Sequence, residues 1–235
     1  MKKYLPLIFI LFLSLTISAQ RTVSAADILD DIKSGKAISY KNVTITGALD
    51  MTFMDEKLPD LPKKYKWYKT GGSNAIKESI EGKISFVNCV FEDDVLAYFH
   101  DEDSKYTFTA SFENDVSFKN CEFKRNAMFK YSSFEGNADF SGSKFQKEST
   151  FKYAKFDSFV SFSNTLFEEY ATFKYTKFKD GVSFNNAQFE DALNLKYTKV
   201  RGDFNVSGLQ VAHEINSKYT DINGDGFSKY LLKNN

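Results

Sequence analysis

The sequence predicts an all-β solenoid, in which short parallel strands stack around a core of phenylalanine side chains. Phenylalanine accounts for 25 of the 235 residues and recurs at alternating intervals of five and six. The residue two positions before each repeated Phe is small or β-branched, so both side chains face the same side of a strand. The repeated positions are Phe118, Phe123, Phe129, Phe134, Phe140, Phe145, Phe151, Phe156, Phe162, Phe167, Phe173, Phe178, Phe184 and Phe189.

A helical interpretation of this period is weaker. An eleven-residue period is also compatible with a right-handed coiled coil. At about 100° per residue, however, a step of five residues separates two Phe by about 140°, too far for one apolar stripe. The frequent Ser, Thr and Asn residues also disfavour a helix. We therefore expect strands.

A complete coil is predicted to contain 22 residues, because a Lys-Tyr dipeptide recurs at that spacing. At the equivalent place in the intervening units stand turn-forming residues such as Asn120 and Gly142. Each coil would then have four inward side chains, four faces and four corners, with strands of successive coils about 4.8 Å apart. We name the dipeptide series the Lys–Tyr ladder: Lys130, Tyr131, Lys152, Tyr153, Lys174, Tyr175, Lys196 and Tyr197.

Individual units resemble a known repeat. Residues 171–175 read Ala-Thr-Phe-Lys-Tyr and residues 187–191 read Ala-Gln-Phe-Glu-Asp, and both resemble pentapeptide repeats, which read Ala-x-Leu/Phe-x-x. The resemblance covers roughly residues 84–210 and implies a right-handed, four-sided parallel β-helix. One extra residue at every second corner, as at Lys179–Gly181, departs from the family pattern. A three-sided parallel β-helix is therefore the alternative.

The first 19 residues have the pattern of a secretory signal peptide. Lys2 and Lys3 precede an apolar stretch that is followed by the small residues Ser18 and Ala19. This stretch is shorter than the roughly 20 residues of a membrane-spanning helix, so we expect cleavage and no spanning segment afterwards. The expected location is the periplasm or the exterior of a bacterial cell.

Helical caps are predicted at both ends of the solenoid, over Ser24–Lys33 and Phe227–Leu232. In the first of them, Ser24 and Asp27 form a capping-box pattern. The predicted organisation follows from these elements: a signal peptide at 1–19, a capping helix and first strands at 20–53, an inserted loop at 54–82, the β-helix at 83–211, and a C-terminal cap at 212–235.

The two cysteines occupy repeat positions. Cys89 and Cys121 each stand two residues before a repeated Phe, which indicates small buried fillers. Because export leads to an oxidising compartment, a disulfide between them is the alternative.

The Lys–Tyr ladder is the first candidate ligand-binding surface. Stacked tyrosines flanked by lysines could hold a sugar chain or an anionic polymer. Alternatively, the aromatic rings stack coil on coil and the lysines keep the surface soluble. A second candidate is the basic, aromatic segment around Trp67, which could dock on a partner or fold back on the solenoid.

No metal, cofactor or catalytic residue is predicted. Asp221–Gly226 resembles the start of a calcium loop, but Leu232 stands where a bidentate Glu is required. His100 beside acidic residues is a similarly weak metal candidate. The chain also contains no phosphate loop, metalloprotease helix or nucleophile elbow.

The predicted function is a non-enzymatic structural or binding scaffold of the cell envelope, with a glycan or an envelope protein as its partner. Loss of Lys2 and Lys3 with the signal peptide leaves two more acidic than basic residues, so the net charge gives no indication of nucleic-acid binding. The alternative function is a polysaccharide-active β-helix enzyme, which would need carboxylates in a groove.

Overall fold

In the computed structural model, which describes residues 21–61 and 74–234, the chain forms a four-sided parallel β-helix. Four sheets run along the solenoid, and each regular coil contributes one short strand to each sheet. The predicted four-sided parallel β-helix is confirmed. The three-sided alternative is wrong, because each regular coil passes through four sheets and therefore has four faces.

The sheets are numbered in the order in which the chain passes through one coil. Sheet 1 contains Ile38–Lys41, Ile84–Val87, Val116–Lys119, Ala138–Asp139, Val160–Ser161, Val182–Ser183 and Phe204–Asn205. Sheet 2 contains Arg21–Ser24, Val43–Thr46, Val90–Phe91, Glu122–Phe123, Lys144–Phe145, Leu166–Phe167, Gln188–Phe189 and Gln210–Val211.

Sheet 3 contains Leu49–Asp50, Val95–Leu96, Ala127–Met128, Ser149–Thr150, Ala171–Thr172, Leu193–Asn194 and Ile215–Asn216. Sheet 4 contains Ala75–Ile80, Thr107–Phe112, Ser133–Phe134, Lys155–Phe156, Lys177–Phe178, Lys199–Val200 and Asp221–Ile222. The hairpin strand Tyr98–His100 joins sheet 4 in antiparallel orientation.

The pairing register confirms the 22-residue coil. Phe123 lies beside Phe145 in sheet 2, and Phe134 lies beside Phe156 in sheet 4. Stacking of identical residue types in register therefore follows directly from the sequence period. The earlier coils are longer, since Phe91 pairs with Phe123, because they carry insertions.

The core consists of columns of stacked phenylalanine rings. Phe151 has its ring centroid 5.2 Å from Phe129 and 5.1 Å from Phe173, with planes within 6° of parallel. Rings of different columns meet edge to face, as Phe151 does with Phe140 of the opposite sheet at 78°. Both are favourable geometries for aromatic pairs, each worth about 0.5–1.5 kcal/mol beyond the apolar area that they bury.

Two kinds of corner explain the alternation of five and six residues. The tight corners, from sheet 1 to sheet 2 and from sheet 3 to sheet 4, are four-residue turns whose third residue has a positive φ. Asn164 (φ 57°) and Tyr153 (φ 61°) are examples of the two tight corners. The other two corners take the additional residue, as at Lys179–Gly181, and the four faces are thereby preserved.

Buried hydroxyl groups connect successive coils inside the solenoid. Thr176 Oγ1 donates a hydrogen bond of 2.6 Å to the carbonyl oxygen of Phe151, and Thr198 bonds Phe173 in the same way. Both threonines are fully buried. Most hydroxyls of the small inward column thus fill space and are also hydrogen-bonded, whereas the buried hydroxyl of Ser149 has no partner in the described residues.

Helices lie at both ends of the solenoid. Ala25–Lys33 begins after Ser24, whose hydroxyl accepts a hydrogen bond from the amide of Ala26. The C-terminal helix Phe227–Asn234 packs Phe227 and Tyr230 against the last coils. In the described part of the chain, no helix has the length and apolar character needed to cross a bilayer.

Two insertions interrupt the chain at the corner between sheets 3 and 4. Strand Ala75–Ile80 pairs in parallel with Thr107–Phe112, which also pairs with the antiparallel strand Tyr98–His100. We name these three strands the wing. The predicted loop at 54–82 is wrong for Ala75–Ile80, which is a strand, and for Met54–Lys57, a short helix followed by the 3₁₀ turn Leu58–Asp60.

Candidate functional site

The Lys–Tyr ladder occupies the tight corner between sheets 3 and 4. From the second rung onward, the side chain two residues before the lysine accepts a hydrogen bond from the lysine amide. Thr150 Oγ1 accepts one from Lys152, and Asn194 Oδ1 accepts one from Lys196. The amide of Tyr153 then donates to the carbonyl oxygen of Lys174 in the next coil, at 3.0 Å. These contacts fix the rungs of the ladder in register.

Every ladder tyrosine adopts a left-handed backbone conformation, with φ between 60° and 63°. This conformation suits Gly or Asn, and the other tight corner has Gly or Asn at the same place. A bulky residue at positive φ is strained by about 1–3 kcal/mol. The tyrosine side chain must therefore gain compensating interactions at this corner.

Stacking supplies those interactions. Consecutive tyrosine rings lie 4.6–4.9 Å apart with interplanar angles of 2–16°. Loss of contact with water raises the pKa of Tyr175, and the neighbouring Tyr153 and Tyr197 raise it further. The tyrosine rings therefore stack coil on coil, as one of the two interpretations of the ladder expected. Both faces of an interior ring are covered by its neighbours and cannot stack on a sugar.

The ladder lysines lie above the tyrosine rings of their own coils. Their Nζ atoms are 5.0–5.4 Å from the ring centroids, within cation–π range. Lys130 Nζ also donates to Tyr98 Oη at 2.9 Å. Among the described residues, none of the ladder lysines forms an ion pair with a carboxylate.

Lysines on sheet 2 and in the corner that follows it differ in this respect. Lys144 pairs with Glu168 at 2.7 Å, and Lys147 pairs with Glu169 at 2.5 Å. Lys124 similarly pairs with Glu92. Positive charge is therefore locally neutralised on sheet 2 and left uncompensated along the ladder.

The two faces that flank the ladder extend this contrast. From Leu96 to Asn216, the outward residues of sheet 3 are uncharged, as at Thr172 and Asn194. On sheet 4, Lys155, Lys177 and Lys199 stand in register on consecutive rungs. Lys155 pairs with Asp157, whereas Lys177 and Lys199 have no ion pair within residues 21–61 and 74–234.

The structure extends the ladder in both directions beyond the predicted residues. Lys218 and Tyr219 form a fifth rung, in which Tyr219 is 61% exposed. The exact spacing of 22 residues from Tyr197 could have revealed this rung. At the other end, Tyr98 contacts Tyr131 at 5.9 Å, although it lies in the hairpin and outside the repeat spacing.

The remaining candidates from the sequence are Trp67 and the two weak metal candidates at Asp221 and His100. Trp67 lies outside the described residues. Asp221 binds Arg201 and the amide of Gly224, while His100 bonds Thr107 at 2.9 Å. The described part of the chain brings together no group of three His, Cys, Asp or Glu side chains that could hold a metal.

The comparisons with known proteins agree with this architecture. Three overlapping segments, 109–144, 129–177 and 151–199, match the family model described as pentapeptide repeats (9 copies). Residues 109–199 are pentapeptide repeats. The matched pentapeptide repeats contain most of the ladder, which thus belongs to the repeating part of the chain. No curated protein and no solved structure matches this chain.

Proposed function

We propose that the protein is an exported, non-catalytic scaffold of the bacterial cell envelope that binds a linear acidic polysaccharide along the Lys–Tyr ladder. The observation that carries this proposal is the row of five ladder lysines without carboxylate partners in the described residues. Proteins built from pentapeptide repeats are typically structural and not enzymes, which is consistent with a scaffold.

The spacing of the row favours a polymer as the ligand. The rungs repeat every 4.6–4.9 Å, as measured between the tyrosine rings. A single exposed contact between an ammonium and a carboxylate is worth only about 0–1 kcal/mol. A ligand that carries a carboxylate at regular intervals can form many such contacts at once, and its affinity should rise with chain length.

The tyrosines would contribute their edges to this surface. Their faces stack on one another, but Tyr131 and Tyr153 are 44% and 39% exposed. A phenol hydroxyl can donate to and accept from sugar hydroxyls. The rigid stack would also hold the lysines in position, so that less conformational freedom is lost on binding.

Binding to defined polymers tests the proposal. Polygalacturonate and hyaluronate are expected to bind in a length-dependent manner, and neutral dextran is expected not to bind. The triple variant Lys152→Gln/Lys174→Gln/Lys196→Gln should lower the affinity about tenfold, from three contacts of about 0.5 kcal/mol each.

The matched control removes the same charge from sheet 2 and the corner that follows it, as Lys124→Gln/Lys144→Gln/Lys147→Gln. It should change the affinity less than about threefold, since these lysines already have carboxylate partners. Equal losses in the two triple variants, or equal binding of single-stranded DNA, would indicate attraction to any polyanion and would overturn a specific ladder site.

Export rests on the sequence of residues 1–19. Fractionation of the producing cells, with N-terminal sequencing of the recovered protein, tests it. We expect the protein outside the cytoplasm with an N-terminus near Gln20. Recovery of the uncleaved chain from the cytoplasm would contradict this part of the proposal.

A further inference from the structure

A cavity of about 290 Å³ lies where the wing meets the first rung of the ladder. It is close to the lower end of the volume range of small-molecule sites. The cavity is lined by Asn74, Ala75, Lys77, Thr107, Thr109 and Tyr131.

The geometry of the wing explains why these residues share one surface. Thr109 is aligned with Lys77 on one neighbouring strand and with Tyr98 on the other. Alternate residues of a strand face the same side, so Thr107 and Thr109 point to the face that carries Lys77. Phe108 points to the opposite face and is fully buried.

One polar group in this lining has no partner. Thr109 is 3% exposed, and within the described residues its hydroxyl forms no hydrogen bond. Buried hydroxyl groups are nearly always paired, because an unpaired one loses its hydrogen bonds to water without replacement. The hydroxyl of Thr107, in contrast, is already bonded to His100.

The cavity also offers a cation and an aromatic ring. Lys77 forms no ion pair within residues 21–61 and 74–234. Tyr131 stacks on Tyr153 through one face, whereas its other neighbour, Tyr98, is tilted by 52°. Tyr131 is therefore the ladder ring next to the wing whose second face is not covered by a parallel ring, and Lys130 Nζ lies 5.0 Å from its centroid.

We propose that this cavity binds one terminal sugar residue that carries a carboxylate, at the end of the polysaccharide that the ladder binds. In this arrangement Lys77 binds the carboxylate, Tyr131 contacts the sugar ring, and Thr109 turns its buried hydroxyl into the cavity to hydrogen-bond a sugar hydroxyl. The inference rests on the proposed function, because it identifies the sugar class and the end of the chain. A cavity bordered by the wing gives the ladder a defined starting point.

Monosaccharides test the cavity separately from the ladder. Glucuronate and galacturonate should bind the full protein more tightly than glucose and galactose, as measured by ligand-observed NMR. Lys77→Gln and Thr109→Val should each weaken glucuronate binding about five- to tenfold. Lys83→Gln, on a lysine that pairs with Asp115, and the ladder triple variant should leave it unchanged.

The outcomes distinguish the cavity from the ladder. Ladder-dependent polymer binding without glucuronate binding, or glucuronate binding that Lys77→Gln and Thr109→Val do not weaken, would overturn the cavity and leave the ladder function standing. Glucuronate binding that depends on both residues supports the cavity. If no polymer binds in that case, the ladder function fails while the acidic-sugar site stands.

Discussion

Tyr153 and Tyr175 lie one coil apart with their ring centroids separated by 4.6 Å and their planes 3° from parallel. Both have left-handed backbone conformations, at φ 61° and 63°. The corner thus combines an unfavourable backbone with a favourable side-chain stack. The ladder is a structural element in its own right, and it places the lysines in a row.

Replacement of Tyr153 by Gly separates the two effects. The substitution relieves the left-handed strain but removes two ring stacks, each worth about 0.5–1.5 kcal/mol. These two terms nearly cancel, but the partly buried ring also covers apolar area, so we expect a net loss of about 1 kcal/mol in the free energy of unfolding, measured by urea denaturation. The control, Asn164→Gly, should change the stability by only a few tenths of a kcal/mol, since Asn already tolerates this conformation. If Tyr153→Gly proves stabilising, the backbone strain exceeds the stacking.

Two Thr→Val substitutions distinguish paired from unpaired hydroxyls. Thr176 donates to the carbonyl oxygen of Phe151, so Thr176→Val should cost about 1 kcal/mol. Thr109 has no partner in the described residues, so Thr109→Val should leave the stability unchanged or raise it. Thermal unfolding of both variants measures the difference. An equal loss in the two would show that the hydroxyl of Thr109 is structural.

Truncation of a central ring tests the core. Phe151 contacts rings in its own column and in the columns of the three other sheets. Phe151→Ala should therefore lower the free energy of unfolding by about 3–5 kcal/mol. Phe151→Leu should cost much less, because Leu195 occupies the same column at 1% exposure. Similar losses from Ala and Leu would contradict a core that depends on filled volume.

The two thiols should resist alkylation in the folded protein. Cys89 and Cys121 are 1% and 2% exposed, and both are unpaired thiols. The hydrogen bond shared with Cys89, and then burial, raise the pKa of Cys121, and only a thiolate reacts with iodoacetamide. Mass spectrometry should detect modification in guanidinium but not in buffer. Rapid modification of Cys121 in buffer would mean that the core opens readily.

The sequence was sufficient to predict the repeating part of the fold. Phe spacing specified the inward positions, and the Lys-Tyr interval specified the coil, because both features recur in every rung. The wing was missed, since Ala75–Ile80 contains Lys77 and Glu78 and no repeated Phe. Arg21–Ser24 was missed for a similar reason, because its pairing with Val43–Thr46 depends on a contact across the N-terminal helix.

The candidate site was predicted in part. The ladder residues follow from the period, but their ring stacking depends on the left-handed corner, which no tyrosine would adopt by preference. Whether a ladder lysine has a carboxylate partner depends on which side chains the neighbouring coils bring to its corner. The period of the sequence does not specify this. The cavity lies between an insertion and a repeat, so its lining could not be derived from either segment alone.

Lysine reactivity along the solenoid tests the central claim most directly. Reductive methylation of the protein, with and without bound polygalacturonate, can be quantified at each lysine by mass spectrometry. We expect the polymer to protect Lys130, Lys152, Lys174, Lys196 and Lys218, and to leave Lys124, Lys144 and Lys147 as reactive as before. Protection centred on sheet 2, or equal protection of all these lysines, would contradict a binding site along the Lys–Tyr ladder.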